Sequence, residues 1–198
     1  MFLGYRQIKS VALGMSVMKA FPPGGSFSLR ALWAHGYEVA CIANALSEAV
    51  PSMTSRECFL SGLLHDIGRV VFCRMDPERF LRIGVGDDML ARELEIFGCT
   101  HEQAGVWFLE DTKLPEDIVV PVGFHHRPDE AKEYADSTAI LSFAEALSRV
   151  LNPERENDGI WLPAHDEINR RFALTQDQIM QIGTRLALMK RDIGVFFR

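Results

Sequence analysis

Three features of the chain predict an all-α fold. Apolar residues recur at helical spacing along most of its length, and no stretch shows the alternation of a strand. Helix-start signals of the Thr-x-x-Glu/Gln type recur at Thr54, Thr100 and Thr175, each pairing a capping hydroxyl with a side chain that reaches back. Proline and glycine then divide the helical stretches. The 198 residues suffice for a sizeable helical core. One domain over 1–198 is expected, with the helices of 160–198 packing on the rest. No internal repeat is present.

Taken in order, 4–20 reads as a helix with Ile8, Val11, Ala12, Met15 and Met18 on one face, ended by Pro22-Pro23-Gly24-Gly25. It starts almost at the first residue, which suggests a piece of a longer protein. The next helix, 28–50, aligns Leu32, His35, Val39, Ile42 and Leu46. A lone histidine in such a stripe is usually a core residue bonded to a carbonyl. Trp33 and Tyr37 read as packing residues. After Pro51, Thr54 and Glu57 cap a helix carrying Phe59, Leu63, Leu64, Ile67, Val70 and Val71. It is expected to run through His65-Asp66, whose side chains would leave one turn about 100° apart. Gly68 is expected to admit a close helix neighbour, since glycine inside a helix otherwise costs about 1 kcal/mol against alanine.

A shorter helix follows Asp87-Asp88, with Met89, Leu90, Leu94 and Phe97 apolar and Gly98 as its C-cap. Thr100 and Gln103 then place His101 in the first turn of a helix through Val106, Trp107 and Leu109. There the helix dipole favours the neutral imidazole. Pro115 is expected at the first position of the next helix, with Pro121 kinking it or shortening its start, and His125-His126 at its end. A long helix is expected over 129–151, capped near Asp129, burying Ala139, Ile140, Phe143, Leu147 and Val150 and carrying Glu145 in an apolar stretch. A charged connection leads to a short helix with Ile168 and Phe172. Thr175 and Gln178 cap the last helix, with Ile179, Ile182, Leu186 and Met189. His165 falls in the polar approach to the short helix and is assigned no role.

Composition limits the function. The net charge of -6 and pI near 5.5 leave no basic surplus for a nucleic-acid backbone. No apolar run is long enough to span a bilayer, and the N-terminus lacks a signal-peptide apolar core. Cys41, Cys58, Cys73 and Cys99 form no C-x-x-C pair. Cys41 and Cys73 read as buried thiols of a cytoplasmic protein.

The chemistry centres on Gly62-Leu63-Leu64-His65-Asp66-Ile67-Gly68-Arg69. A carboxylate in so apolar a segment is costly unless paired, hydrogen-bonded or bound to a metal. His and Asp are both ligands for divalent cations. The series His35, His65-Asp66, His101, His125-His126 and Glu145 could complete a pocket, although each histidine alone has a bland reading.

With Leu32-Trp33-Ala34-His35-Gly36, Glu93-Leu94-Glu95-Ile96-Phe97-Gly98-Cys99-Thr100-His101, Gly105, Leu114-Pro115 and His125-His126 before Pro128, the chain resembles the HDOD proteins. These are a branch of the HD phosphohydrolase superfamily. The resemblance implies an HD-domain-like helical bundle and a divalent-metal site. By position His35, His65 and Asp66 match its ligands, with Glu145 where the superfamily has an aspartate. His101, His125 and His126 match the additional histidines of HD-GYP phosphodiesterases, which cleave cyclic di-GMP. Fe, Mn, Zn, Ni or Mg would be the cofactor. Two departures stand out: Arg127-Pro128-Asp129-Glu130 replaces the Gly-Tyr-Pro motif, and Arg69 replaces a lysine. The HDOD branch is generally regulatory and carries a further helical bundle before the region matching Leu3-Gly4. The resemblance therefore implies an output module contacting signalling domains, such as a receiver or another upstream domain. The alternative is a metal-dependent phosphohydrolase acting on a nucleotide or cyclic dinucleotide. In that case Asp66 would bridge two ions, and Arg69 or Arg127 would lie near the phosphate.

Overall fold

The computed structural model describes residues 29–48, 50, 55–84, 86, 88–151 and 163–196. These form α1 (Leu29–Ser47), α2 (Ser55–Leu64), α3 (Ile67–Met75), α4 (Pro77–Leu81), α5 (Met89–Phe97), α6 (His101–Asp111), α7 (Glu116–Phe124), a 3-10 turn at Pro128–Glu130, α8 (Ala135–Leu151), α9 (Pro163–Arg171) and α10 (Gln176–Phe196). No strand occurs among the described residues, so the predicted fold class holds. None of their helices is long and apolar enough to cross a membrane. The helix expected over 4–20, the Thr54 cap and the 152–159 connection lie outside the described residues.

The core follows the predicted stripes. Val39, Ile42 and Leu46 of α1 are fully buried against α2 and α8. Every residue of α8 from Thr138 to Ser148 is buried, because α1, α2, α7 and α9 all pack around it. A large apolar side chain such as Phe143 contributes about 1.5–3 kcal/mol by such burial. α10 packs on α1, with Ile182 and Leu186 inward.

Two glycines set the spacing of the helices that carry the site. A Cβ on Gly36 would lie 2.7 Å from the Leu63 carbonyl oxygen, and one on Gly68 only 2.0 Å from that of His101. Gly36 thus brings α1 against α2 beside His35, and Gly68 brings α3 against α6, the close approach expected of it.

Several local expectations are met. Thr100 and Gln103 form a reciprocal capping box. Thr175 and Gln178 do the same at α10. Gly98 takes the left-handed C-cap conformation at φ 78°.

Others are corrected. The helix does not run through His65-Asp66: α2 stops at Leu64 and α3 begins at Ile67, with Asp66 at φ -94° and ψ 13°. The apolar pattern continues across the break, so periodicity conceals it. The long helix does not start at Asp129. A 3-10 turn holds that position, and α8 begins after Tyr134, whose φ is 56°. Pro115 is the N-cap of α7 rather than its first residue, and Pro121 sits buried within it without interrupting it. Leu94 and Val150 are exposed, at 53% and 60%. His165 lies in the first turn of α9 and is buried.

Candidate metal centre

The break after Leu64 leaves the last carbonyls of α2 without helical partners. His65 uses one: its Nδ1 donates to the Gly62 carbonyl at 2.8 Å. The end of α7 repeats the device, with His125 Nδ1 donating to the Val122 carbonyl at 2.7 Å. A carbonyl only accepts, so Nδ1 carries the proton in both rings and Nε2 is left with its lone pair. His65 Nε2 is buried and has no hydrogen-bond partner among the described residues.

His101 is oriented by a carboxylate. Glu93, fully buried on α5, accepts its Nδ1–H at 2.8 Å and its backbone N–H at 2.7 Å. His101 Nε2 then lies 3.3 Å from His125 Nε2 and 3.2 Å from His126 Nε2. Asp66, at the α2–α3 break, places Oδ2 3.6 Å from His65 Nε2 and Oδ1 3.6 Å from His101 Nε2. Glu145 projects from α8 to within 3.9 Å of His125 Nε2. His35, from α1, meets His65 edge to face, ring centroids 5.1 Å apart.

All seven predicted donors therefore converge, from α1, the α2–α3 break, the start of α6, the end of α7 and α8. They fall into three overlapping groups: His35, His65 and Glu145; His65, Asp66 and His125; and His101, His125 and His126. Within each, one donor atom per residue lies within 4.8 Å of the others. Such groups could hold a metal ion. Burial, reinforced by His126, His65 and His101 around it, holds His125 well below the ordinary imidazole range. That keeps it in the neutral, ligating form. Nitrogen donors with nearby carboxylates fit a divalent transition metal.

The basic residues expected near a phosphate are engaged within the protein. Arg69 is buried with Nη1 3.6 Å from Asp66 Oδ2. Arg127 donates to Glu130 at 2.8 Å and to the Gly123 carbonyl at 3.1 Å, and lies 3.5 Å from buried Glu102. Burial pushes the Glu102 carboxyl up, against the opposing pull of His101 and Arg127.

Sequence reasoning gave no site role to Glu93. The available signal was the place of Glu93 in the segment Glu93 to His101, which carries the family resemblance and ends on a candidate ligand. Of the apolar stripe expected on α5, Met89, Leu90 and Phe97 pack on the core while Leu94 is exposed, and Glu93 is buried instead.

Comparison with known proteins adds to this. A relative from Treponema pallidum (strain Nichols), an uncharacterized protein, is 26% identical over 132 residues, 62% of this chain and 25% of its own length. A solved protein of Marinobacter aquaeolei VT8, assigned to signal transduction, superposes with a TM-score of 0.81 at 18% identity, over 98% of this chain and 45% of its own. One of Shewanella amazonensis SB2B, assigned as a phosphohydrolase, gives 0.72 at 23% identity, over 94% of this chain and 70% of its own. This chain thus spans a quarter of the first relative and under half of the second. The model of the HDOD domain family matches residues 1–128, which cover most of the donor-bearing segments, and the chain belongs to the HDOD domain family.

Proposed function

We propose that this chain is a regulatory output module of bacterial signal transduction, acting in the cytoplasm through contacts with other signalling domains. Its interior His/Asp/Glu cluster would hold a divalent metal that braces the helices. The observation that carries this reading is enclosure. His65, His101 and His125 are 0% exposed, Glu145 2%, Asp66 5% and His35 8%, and only His126 is half-buried. An enzyme acting on a phosphate ester needs a cleft that admits the ester and basic groups turned towards it. Here Arg69 and Arg127 face acidic partners instead. The signalling assignment of the Marinobacter protein of the same fold supports the regulatory reading, as does the replacement of Gly-Tyr-Pro by Arg127-Pro128-Asp129.

His101, His125 and His126 would form one set of ligands and His35, His65 and Glu145 another, with Asp66 between them. A bound divalent ion would offset the buried negative charge of the carboxylates and tie elements distant in sequence. The packing of the C-terminal helices on α8 and α1 supports one unit through α10.

A second reading, a metal-dependent phosphohydrolase, is favoured by the place of Asp66 between two histidines and by the Shewanella protein. The deciding experiment supplies the untagged protein with Mn²⁺ or Fe²⁺ and presents cyclic di-GMP and bis(p-nitrophenyl) phosphate. The regulatory reading expects metal uptake without turnover. Metal-dependent hydrolysis that disappears in Asp66→Ala would establish the second reading.

A further inference from the structure

His101 differs from its neighbours in what holds it. His65 and His125 give their Nδ1 protons to neutral carbonyls. His101 gives its proton to the Glu93 carboxylate, whose Oε2 lies 2.8 Å and Oε1 3.1 Å from Nδ1. The same Oε2 accepts the His101 backbone N–H at 2.7 Å. Glu93 therefore fixes the ring and the first turn of α6 together, from another helix. A carboxylate is a stronger acceptor than a carbonyl. Drawing the Nδ1 proton towards it raises the electron density at Nε2, the atom facing His125 and His126. A carboxylate behind an imidazole ligand is a known means of fixing its tautomer and strengthening it as a donor.

We infer that Glu93 is a positioning residue that makes His101 the strongest imidazole donor of the cluster. The group His101–His125–His126 would therefore take a divalent transition metal ahead of the other two groups. This rests on the metal-binding reading above and goes further, naming the group that loads first and the residue that decides it.

The test uses Co²⁺ as probe with the full chain. Glu93→Gln keeps the side-chain shape and one acceptor oxygen and removes the charge. Glu102→Gln is the comparison, since Glu102 is as deeply buried, at 1% exposed, but accepts from the His126 backbone N–H at 3.4 Å rather than from a ring. The apparent Kd of the tightest Co²⁺ site is measured by chelator competition, and its visible absorption is recorded. Glu93→Gln is expected to weaken that site about tenfold or more and to change its spectrum, whereas Glu102→Gln leaves both near wild type. An unchanged Kd in Glu93→Gln, or equal weakening in both variants, overturns the inference.

A second measurement needs no variant. Long-range ¹⁵N–¹H correlation in the metal-free wild-type protein is expected to show the His101 proton on Nδ1 with Nε2 bare. A proton on Nε2 in place of Nδ1 overturns the inference even if Glu93→Gln fails to fold. A wild-type protein that takes up no Co²⁺ overturns the metal-binding reading itself. Normal wild-type uptake with an indifferent Glu93→Gln overturns the inference alone.

Discussion

Asp66 Oδ1 lies 3.6 Å from His101 Nε2, joining the α2–α3 break to the first turn of α6, thirty-five positions on in the sequence. Its other oxygen faces His65 Nε2 at 3.6 Å. One carboxylate thus stands between a histidine of the α2–α3 break and one in the first turn of α6. Replacing Asp66 with Ala is expected to remove bound metal and to destabilise the metal-free fold by about 1–3 kcal/mol, as the groups around it lose a buried partner. Elemental analysis and urea denaturation measure the two effects separately. Full metal content in Asp66→Ala would exclude Asp66 as a ligand.

The approach of α3 to α6 gives a second prediction. A Cβ at position 68 would fall 2.0 Å from the backbone carbonyl of His101, and backbone cannot rotate out of the way as a side chain can. Gly68→Ala is therefore expected to cost about 3 kcal/mol or more and to pull His101 away from Asp66, lowering metal uptake as well. Gly98 provides the contrast. Its φ is 78°, but nothing lies within 4 Å of a Cβ built there. Gly98→Ala should cost only about 1–2 kcal/mol, the left-handed penalty. Equal costs in urea melts would contradict the packing described.

Acid should weaken the junction of α8 and α9. Burial lowers His165 from 6.5 to about 4, against the opposing pull of Asp166 and Asp129. Its Nε2 lies 2.9 Å from Ser142 Oγ on α8. Between those two values the unfolded chain binds a proton that the folded protein does not. The contribution is full above pH 6.5 and is lost as the pH falls towards about 4. Discounted for solvent screening, the expected loss is about 2 kcal/mol by the bottom of that window. Thermal melts of the metal-free protein across the window should fall less steeply in His165→Gln than in wild type. Parallel slopes would show that His165 does not titrate as its burial requires.

Metal removal should be visible in stability. An ion that binds only the folded protein contributes about 2.7 kcal/mol when free metal exceeds Kd a hundredfold. In a chain of this size that corresponds to roughly 5–10 °C in Tm. Dialysis against a chelator is expected to lower Tm by that order, and re-addition of the ion to restore it. The same treatment of His65→Ala should change little.

The sequence made the helices and the donors legible but not how the donors are held. The Thr100–Gln103 box, the Gly98 cap and the Gly68 contact depend on local chemistry or on a missing side chain, and both can be read from a few residues. The seven candidate donors were gathered from the ordered series of histidines and acids and from its resemblance to the HD superfamily, since each residue alone had a bland reading. The break at His65-Asp66 was not legible, since Ile67, Val70 and Phe72 continue an apolar pattern that either one helix or two can bury. The 3-10 turn at Pro128–Glu130 displaced an expected helix start because a proline and a left-handed Tyr134 together redirect the chain. Glu93 stood in a segment that carried the resemblance but received no role, because its partner is eight residues away across a turn, where no helical or strand period connects them. His165 read as a polar loop residue because its burial comes from packing against α8, twenty-three positions earlier.

The central claim is that the cluster holds a metal, and the metal content of untagged protein, grown in metal-replete medium and purified without chelator, tests it most directly. At least one equivalent of a divalent transition metal per chain is expected, lost in His65→Ala and Asp66→Ala. A fully folded wild-type protein containing none, and taking up none when titrated, would contradict it.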